Sequence, residues 1–309
     1  MSRLPVTLIS TVYQEAQGIG EFLDSIATQT RLPDQVVIAD AGSDDGTVDI
    51  IRSYQDKLPL TLLVTPGANR SRGRNLAISQ AAHPLIAAAD AGCRLEPGWL
   101  EAITAPFAEA QPPDVVCGYY RPDPRTLFEC AVAAATVPAA AEVDPATFLP
   151  SGRSVAFTRE AWSAVGGYPE GATLSEDTLF DLALRGAGYR FAFAPQAVAR
   201  WRPQGSPARV FRQFYRYARS DGEQGLWFGH YAKAYLLWAL VAGLAALGWG
   251  WWLLVLALTY SLRYCSRSLR RGAGPGAALL SVPVMLTVDA AHALGYAAGR
   301  LGRRRRGRP

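Results

Sequence analysis

The sequence predicts an α/β fold: a mostly parallel, Rossmann-like sheet with helices on both faces, followed by a block of apolar helices. Three observations lead there. Through the first hundred residues short apolar runs alternate with amphipathic stretches, and the runs are apolar without a polar face, as in strands covered on both sides. Two of those runs end in an acid, Asp40 and Asp90. From residue 234 the texture changes, because residues 234–262 hold no Asp, Glu, Lys, Arg or His.

The elements follow in order. Residues 6–12 (VTLISTV) read as a strand, and 18–28 as a helix with Ile19, Phe22, Leu23 and Ile26 on one face. Residues 35–40 form a second strand, 45–54 a helix burying Val48, Ile50 and Ile51, and 60–64 a third strand. A helix over 71–82 and a strand over 85–90 complete the repeat. In such sheets ligands bind beyond the carboxyl ends of the strands, the edge where Asp40 and Asp90 fall. A helix over 98–110 and a strand over 115–120 follow, whereas the Ala- and Pro-rich stretch 121–150 carries no clear pattern. Residues 152–158 read as extended and 160–165 as helical; 175–185 read as a helix with a Ser cap and acids in its first turn. Strands are expected over 190–194 and 197–201, and an amphipathic helix over 207–220 with Val210, Phe211, Phe214 and Tyr217 inward.

Charge divides the chain in two. Ten of the 31 basic residues but one of the 26 acids, Asp289, follow Leu262, so the formal +5 resolves into −4 before that point and +9 after it. A nucleic-acid binder would carry its basic residues across a folded face, so nucleic acid is not expected as a partner. The four cysteines form no C-x-x-C pair, which argues against a zinc knuckle or disulfide framework and suits a reducing compartment. Residues 1–5 run straight into a strand-like segment, so no secretory leader is expected.

Several polar clusters fall at the strand ends. Thr11-Val-Tyr-Gln-Glu15 closes the first strand, with Gln29-Thr30 further on; Asp40-Ala-Gly-Ser-Asp-Asp-Gly-Thr47 closes the second; Arg74-Asn75 lies in the third helix. These motifs, in this order, resemble those of the family-2 glycosyltransferases, with Thr11 and Gln14 replacing a usual Pro and Asn and Ala41 replacing an Asp. The resemblance covers about residues 6–201 and implies a nucleotide-sugar-binding GT-A fold. It implies a nucleoside-diphosphate sugar donor bound by Thr11, Tyr13, Glu15, Asp40, Arg74 and Asp90, with Asp40 at the base. Whether that base is uracil or guanine stays open. Where the family carries Asp-x-Asp to hold ribose and a divalent cation, this chain has Asp90-Ala-Gly92. Asp90 therefore keeps the metal-side role for Mg²⁺ or Mn²⁺ while the second carboxylate is missing; such hard cations prefer oxygen donors, which neither Gly92 nor the Cys93 thiol supplies well.

The resemblance further implies that Asp177, in Ser175-Glu-Asp-Thr178, is the base that deprotonates the acceptor hydroxyl, with Glu176 beside it. An inverting displacement at an anomeric carbon needs such a base, and adjacent carboxylates raise one another's pKa. Gly166 and Gly167 are expected to shape the acceptor side. Gln213-Phe-Tyr-Arg216-Tyr217 resembles the Gln-x-x-Arg-Trp of processive members, which would set Gln213 and Arg216 on one helix face near the diphosphate.

The apolar block is expected to meet a membrane. Twenty-nine residues of helix would reach about 43 Å, beyond a hydrocarbon core of about 30 Å, so residues 234–262 are either one tilted span or a pair broken near Gly248-Trp249-Gly250. Arginines flank both this stretch and a second, 272–299, on the side expected to face the cytoplasm. That arrangement favours a hairpin or re-entrant element, or a helix lying in the interface around residues 289–300 with Asp289 and His292 outward. The expected organisation is a cytoplasmic catalytic domain over 1–222 and a membrane-associated helical region over 223–309, acting on a lipid or lipid-linked saccharide at the inner face. The rival is a non-catalytic membrane scaffold that retains the fold, motivated by Gly92. A sugar-nucleotidyltransferase would want a Gly-rich activating loop that residues 13–20 do not supply.

Overall fold

The computed structural model describes residues 4–172 and 174–305, with the side chains of residues 304 and 305 left aside. Arg306 and Arg308 of the basic tail lie outside the described residues. The chain divides into two compact units, Met1–Arg121 with Ala140–Trp201, and Pro122–Ala139 with Arg202–Pro309.

The first unit is an eight-stranded mixed sheet flanked by helices. Its strands are β1 (Val6–Val12), β2 (Gln35–Asp40), β3 (Leu60–Val64), β4 (Leu85–Ala88), β5 (Cys93–Leu95), β6 (Val115–Pro122), β7 (Val155–Thr158) and β8 (Phe191–Trp201), in the spatial order β3-β2-β1-β4-β7-β6-β8-β5. The expected strand–helix repeat forms the parallel part: β1 pairs β2 from Thr7 opposite Gln35 to Val12 opposite Asp40, and β4 lies on its other side with Ile9 opposite Ala88. β7 joins antiparallel to β4, and β5 antiparallel to β8.

Helices α1 (Ile19–Ala27), α2 (Thr47–Arg52), α3 (Arg70–Ser79) and α4 (Trp99–Thr104) connect these strands. The period of two along each strand sends alternate apolar residues to opposite faces. Leu8, Ile38 and Ala87 join Phe22, Leu23, Ile26 and Trp99 in one core, while Ile9, Val37 and Ile86 join Ile78, Phe157 and Phe180 in the other. Each such ring or branched side chain buried is worth about 1.5–3 kcal/mol, which is what makes the register costly to slip. Trp99 is fully buried, and its indole N–H donates to Ser154 Oγ at 2.7 Å. Ser154 in turn donates to the Ala197 carbonyl at 3.0 Å, tying α4 to β8.

Differences from the sequence expectations have local causes. α4 stops at Thr104 because Pro106 lacks the N–H an α-helix would need, and a short 3₁₀ turn, Ala105–Ala108, replaces its second half. The two strands expected around Pro195 are one, β8. In the first unit α6 (Arg159–Ala164) and α7 (Glu176–Gly186) follow β7, and α7 is not capped as expected: Ser175 sits at φ 62° and its side chain makes no capping bond.

The second unit contains α5 (Leu127–Thr136), α8 (Pro207–Gln224), α9 (Phe228–Ala246), α10 (Gly250–Arg270) and α11 (Pro275–Arg305). α5 arises in the stretch whose pattern was unclear; Thr126 caps it, and the buried Glu129 beneath pairs with Arg202 at 2.8 Å. Residues 234–262 form the broken pair, with α9 and α10 separated at Gly248, φ 72°.

α8 and α11 cross with their backbones close. A Cβ on Gly295 would lie 2.4 Å from the Tyr215 carbonyl oxygen, and one on Gly299 2.1 Å from that of Arg219, so the Gly-x-x-x-Gly spacing is required by the crossing. Val210 of α8 is buried, but Tyr217, expected inward, is exposed. Asp289 and His292 are also corrected: they face other helices of this unit. Tyr260 donates to Asp289 at 2.7 Å, and the His292 ring packs on Phe214, His230 and Tyr231. A polar pair in an apolar helix finds its partners inside because burying it without them is costly.

Among the described residues, one helical segment is long and apolar enough to cross a membrane, Pro275–Arg303 within α11, with mean hydropathy 1.6 over its best window. The exposed large apolar side chains concentrate elsewhere. On α9, α10 and their connection Leu236, Leu240, Leu247, Trp249, Trp251 and Leu254 are open, Leu254 to 73%.

Candidate functional site

The ends of β1, β2 and β4 in the first unit carry the expected site residues in two groups. The first is a pair of laced loops. Tyr13, whose ring is exposed, follows the end of β1, and Gln14 turns the chain at φ 54°. The Gln14 backbone N–H then donates to Ser43 Oγ at 2.8 Å, and the Glu15 N–H to Thr47 Oγ1 at 2.9 Å. Asp45 accepts from the Ala16 N–H and from Thr47, and those bonds, the Thr47 hydroxyl first, hold its carboxyl below the usual range.

Asp40 is completely buried beneath this loop. Its Oδ1 accepts the N–H groups of Gly42 and Ser43, both at 2.8 Å, and its Oδ2 accepts the Ser43 hydroxyl at 2.6 Å. Asp40 thus shapes the turn first; what it has left for a ligand is a remaining lone pair. Thr11 is half-buried, and its methyl lies 2.9 Å from where a Cβ on Gly73 would sit, so it packs under α3.

The second group is built around one guanidinium. Arg74 on α3 is 3% exposed and bonds Asp90 Oδ1 at 3.0 Å, Glu176 Oε1 at 3.1 Å and Asp177 Oδ1. It was expected near the nucleotide; its charged head bonds three carboxylates, Asp90 among them, and its ring neighbour is Tyr168 at 5.2 Å. Burial disfavours the charge, but the carboxylates, Asp177 foremost, keep Arg74 more firmly protonated than usual. Asp90 is desolvated as well, yet Arg74, then Arg153 and Arg70, hold its carboxyl below the usual range. Glu176 goes the other way, raised by burial and then by Asp177.

Asp177, on the first turn of α7, has both oxygens engaged: Oδ1 by Arg74 and Oδ2 by the Gly152 N–H at 2.9 Å. Its side chain stays 24% exposed, open to an incoming group. A Cβ at position 152 would lie 2.0 Å from Arg74 Nη2, so a side chain there would have to push the guanidinium off its carboxylates. Gly152 and Arg153, which stacks on the Tyr120 and Trp201 rings, were not among the expected site residues. A signal was present, since both open the segment 152–158 that reads as extended.

Gly166 and Gly167, both at φ 77°, make a left-handed turn that docks on Asn75. Asn75 Oδ1 accepts the Tyr168 N–H at 2.9 Å and the Trp162 indole N–H at 3.1 Å, and a Cβ on Gly167 would come within 2.8 Å of that oxygen. These glycines hold the segment that carries Tyr168 against Arg74. Gln213 and Arg216 belong to α8 in the second unit, where Gln213 Nε2 donates to the Tyr217 hydroxyl at 3.1 Å and Arg216 is exposed.

The arrangement offers chemistry of one kind. A carboxylate at the end of a central strand, Asp90, with its Oδ2 free of hydrogen bonds among the described residues and its side chain 37% exposed, can meet a cation or ribose. A second carboxylate, Asp177, shares the same guanidinium and so lies within a few ångströms of it.

Comparison with known proteins points the same way. Residues 7–131 match Glycosyl transferase family 2, and residues 134–292 match Glycosyl transferase family group 2. A validoxylamine A glucosyltransferase of Streptomyces hygroscopicus subsp. limoneus is 34% identical over 128 residues, which cover 39% of this chain and 28% of that protein. The chain thus matches less than a third of that relative's length. An O-antigen chain rhamnosyltransferase of Salmonella typhimurium is 24% identical over 232 residues, covering 69% of this chain and 71% of its own. Among solved structures, a mannosyltransferase from Pyrobaculum calidifontis in complex with GDP-Man and Mn²⁺ superposes with a TM-score of 0.67 at 23% identity, over 92% of this chain and 87% of that one. At that identity the likeness shows the fold.

Proposed function

The chain belongs to the family-2 glycosyltransferases, and from that premise we propose an inverting transferase in which Asp177 takes the proton of an acceptor hydroxyl. The donor is a nucleoside-diphosphate sugar lying over Tyr13, Asp40 and Asp90. The observation that carries this reading is the meeting of Asp90 and Asp177 on the one buried guanidinium of Arg74. It sets the donor-side and acceptor-side carboxylates a few ångströms apart, as a direct displacement at one carbon requires.

The roles follow from the contacts. Tyr13 offers an exposed ring on which a base can stack. Asp177, held in place by Arg74 and the Gly152 N–H, keeps one exposed edge to accept the acceptor's proton. Arg70 and Arg153, whose fields both reach Asp90, stabilise negative charge developing on the departing diphosphate. The donor set at Asp90 is oxygen and solvent-facing, which suits Mg²⁺ or Mn²⁺; bound there, such an ion would neutralise the diphosphate as it leaves.

Asp177→Asn keeps the side chain's shape and removes the base. Turnover should fall about 10²- to 10⁴-fold, with nucleoside diphosphate affinity nearly unchanged. An Asn variant that transfers sugar at the parental rate would overturn the assignment of the base.

The acceptor is a lipid or lipid-linked saccharide, and the catalytic unit works at the cytoplasmic face of a membrane. The support is the pair α9–α10: two helices of 19 and 21 residues, apolar around much of their surface, with tryptophans at the connection and arginines at the far end of α10. Tryptophan at an interface and arginine facing headgroups are the usual terminal residues of membrane-inserted helices. α11, although it passes a length and hydropathy test, packs its buried face against α5 and the arginine-bearing α8. The hairpin is therefore assigned the insertion. Replacing Trp251, Leu254 and Leu258 with Ser should shift the protein from a membrane pellet that resists high salt into the wash; retention equal to the parent would assign the anchorage elsewhere.

A further inference from the structure

Asp90 alone is a thin site for a hard cation, and Gly92 leaves no carboxylate two residues on. We propose that Glu15, coming from the end of β1, supplies the second protein ligand of the divalent cation beside Asp90. The proposal rests on the glycosyltransferase reading above.

The geometry carries it. β1 and β4 are neighbours, with Ile9 opposite Ala88, so the segments following them run side by side. A Cβ built on Gly92 would meet nothing nearer than Glu15 Oε1, at 3.9 Å. The Glu15 oxygen therefore borders the space that a carboxylate side chain at position 92 would have entered. It is free to do so because residue 18 is glycine too: a Cβ there would lie 2.4 Å from the same oxygen. Two glycines, Gly18 and Gly92, thus form a slot for one carboxylate.

The state of that carboxylate agrees. Asp40, Asp90 and Asp177 are each engaged by donors, whereas the Glu15 side chain makes no hydrogen bond or ion pair among the described residues. The side chain is half-buried. A half-desolvated acid without a counter-charge gains by meeting a cation.

Mn²⁺ binding decides it without any turnover. The full chain in detergent is titrated with Mn²⁺ alone and with Mn²⁺ plus GDP or UDP, following the free-ion electron paramagnetic resonance signal. The parent should bind, and Glu15→Gln should weaken binding about tenfold or more. Restoring a carboxylate by Gly92→Asp in the Glu15→Gln background should recover the affinity, since position 92 has room and does not need a positive φ. Gly92→Asp in the parent should tighten it. A Glu15→Gln protein that binds Mn²⁺ like the parent, or a parent that binds none, overturns the proposal. Nucleoside diphosphate binding read in the same titration keeps the two questions apart: parental nucleotide affinity with a Glu15-independent Mn²⁺ site removes this inference and leaves the transferase standing.

Discussion

Two regions meet at the carboxyl edge of the sheet, and they are fastened differently. Around Asp40, loops 13–16 and 40–47 are stitched by short-range donors: backbone N–H groups and the hydroxyls of Ser43 and Thr47. Around Arg74, segments far apart in sequence are held by charge, with Asp90, Glu176 and Asp177 on one guanidinium. Both bury carboxylates. In the first, each oxygen receives hydrogen bonds that ask for no counter-ion; in the second, one guanidinium binds all three acids, so losing that one charge reaches all of them. The donor loop should therefore be rigid and indifferent to its surroundings, and the base cluster responsive to whatever binds it.

The strongest way to break this contrast is to remove the cation. Arg74→Met leaves the three carboxylates clustered without their shared cation and should cost about 3–5 kcal/mol of stability. Asp40→Asn, which keeps an acceptor for the Gly42 and Ser43 N–H groups, should cost only about 1 kcal/mol. Denaturant unfolding of the two variants measures both. Equal losses would mean that the charge cluster is no more than another hydrogen-bonded turn. Arg74→Lys adds resolution: a point charge cannot reach three acceptors as a fork does, so it should recover part of the stability while leaving Asp177 poorly placed and turnover reduced.

How much of this was legible in the sequence follows from the same contrast. The donor loop lies within contiguous motifs, so the resemblance could name Tyr13, Glu15 and Asp40 from one stretch of chain each. It named Asp90 and Asp177 too, and the structure brings both to one guanidinium. What could not be read was their fastening. Arg74 and Asp177 stand 103 residues apart, and a sequence offers no sign that an arginine in a helix will turn inward. The same limit hid α5, which folds with the C-terminal helices, and the inward orientation of Asp289 and His292. Apolar periodicity reports which face is buried; it does not name the partner across a long loop.

A smaller effect sharpens the comparison from within the cluster. Asp181, one turn along α7 from Asp177, is 2% exposed, and its Oδ2 has no hydrogen-bond partner among the described residues. Burial first, and the negative Asp177 second, raise its carboxyl well above the usual range, although Arg185 and Arg74 pull the other way. The sign is that of an acid whose folded pKa exceeds its unfolded one: its contribution to stability is complete below about pH 4 and is lost as pH rises towards the folded value. Asp181→Asn removes that titration, so its unfolding free energy should fall less steeply than the parent's between pH 4 and 7, with each unit of pKa difference removed worth about 1.4 kcal/mol. Parallel curves would show that Asp181 titrates alike folded and unfolded, and that the negative charge around Arg74 does not extend along α7. The donor loop supplies the control, because Asp45 is held low by hydrogen bonds and has the opposite sign: its contribution is present above about pH 4 and fades only in more acidic solution.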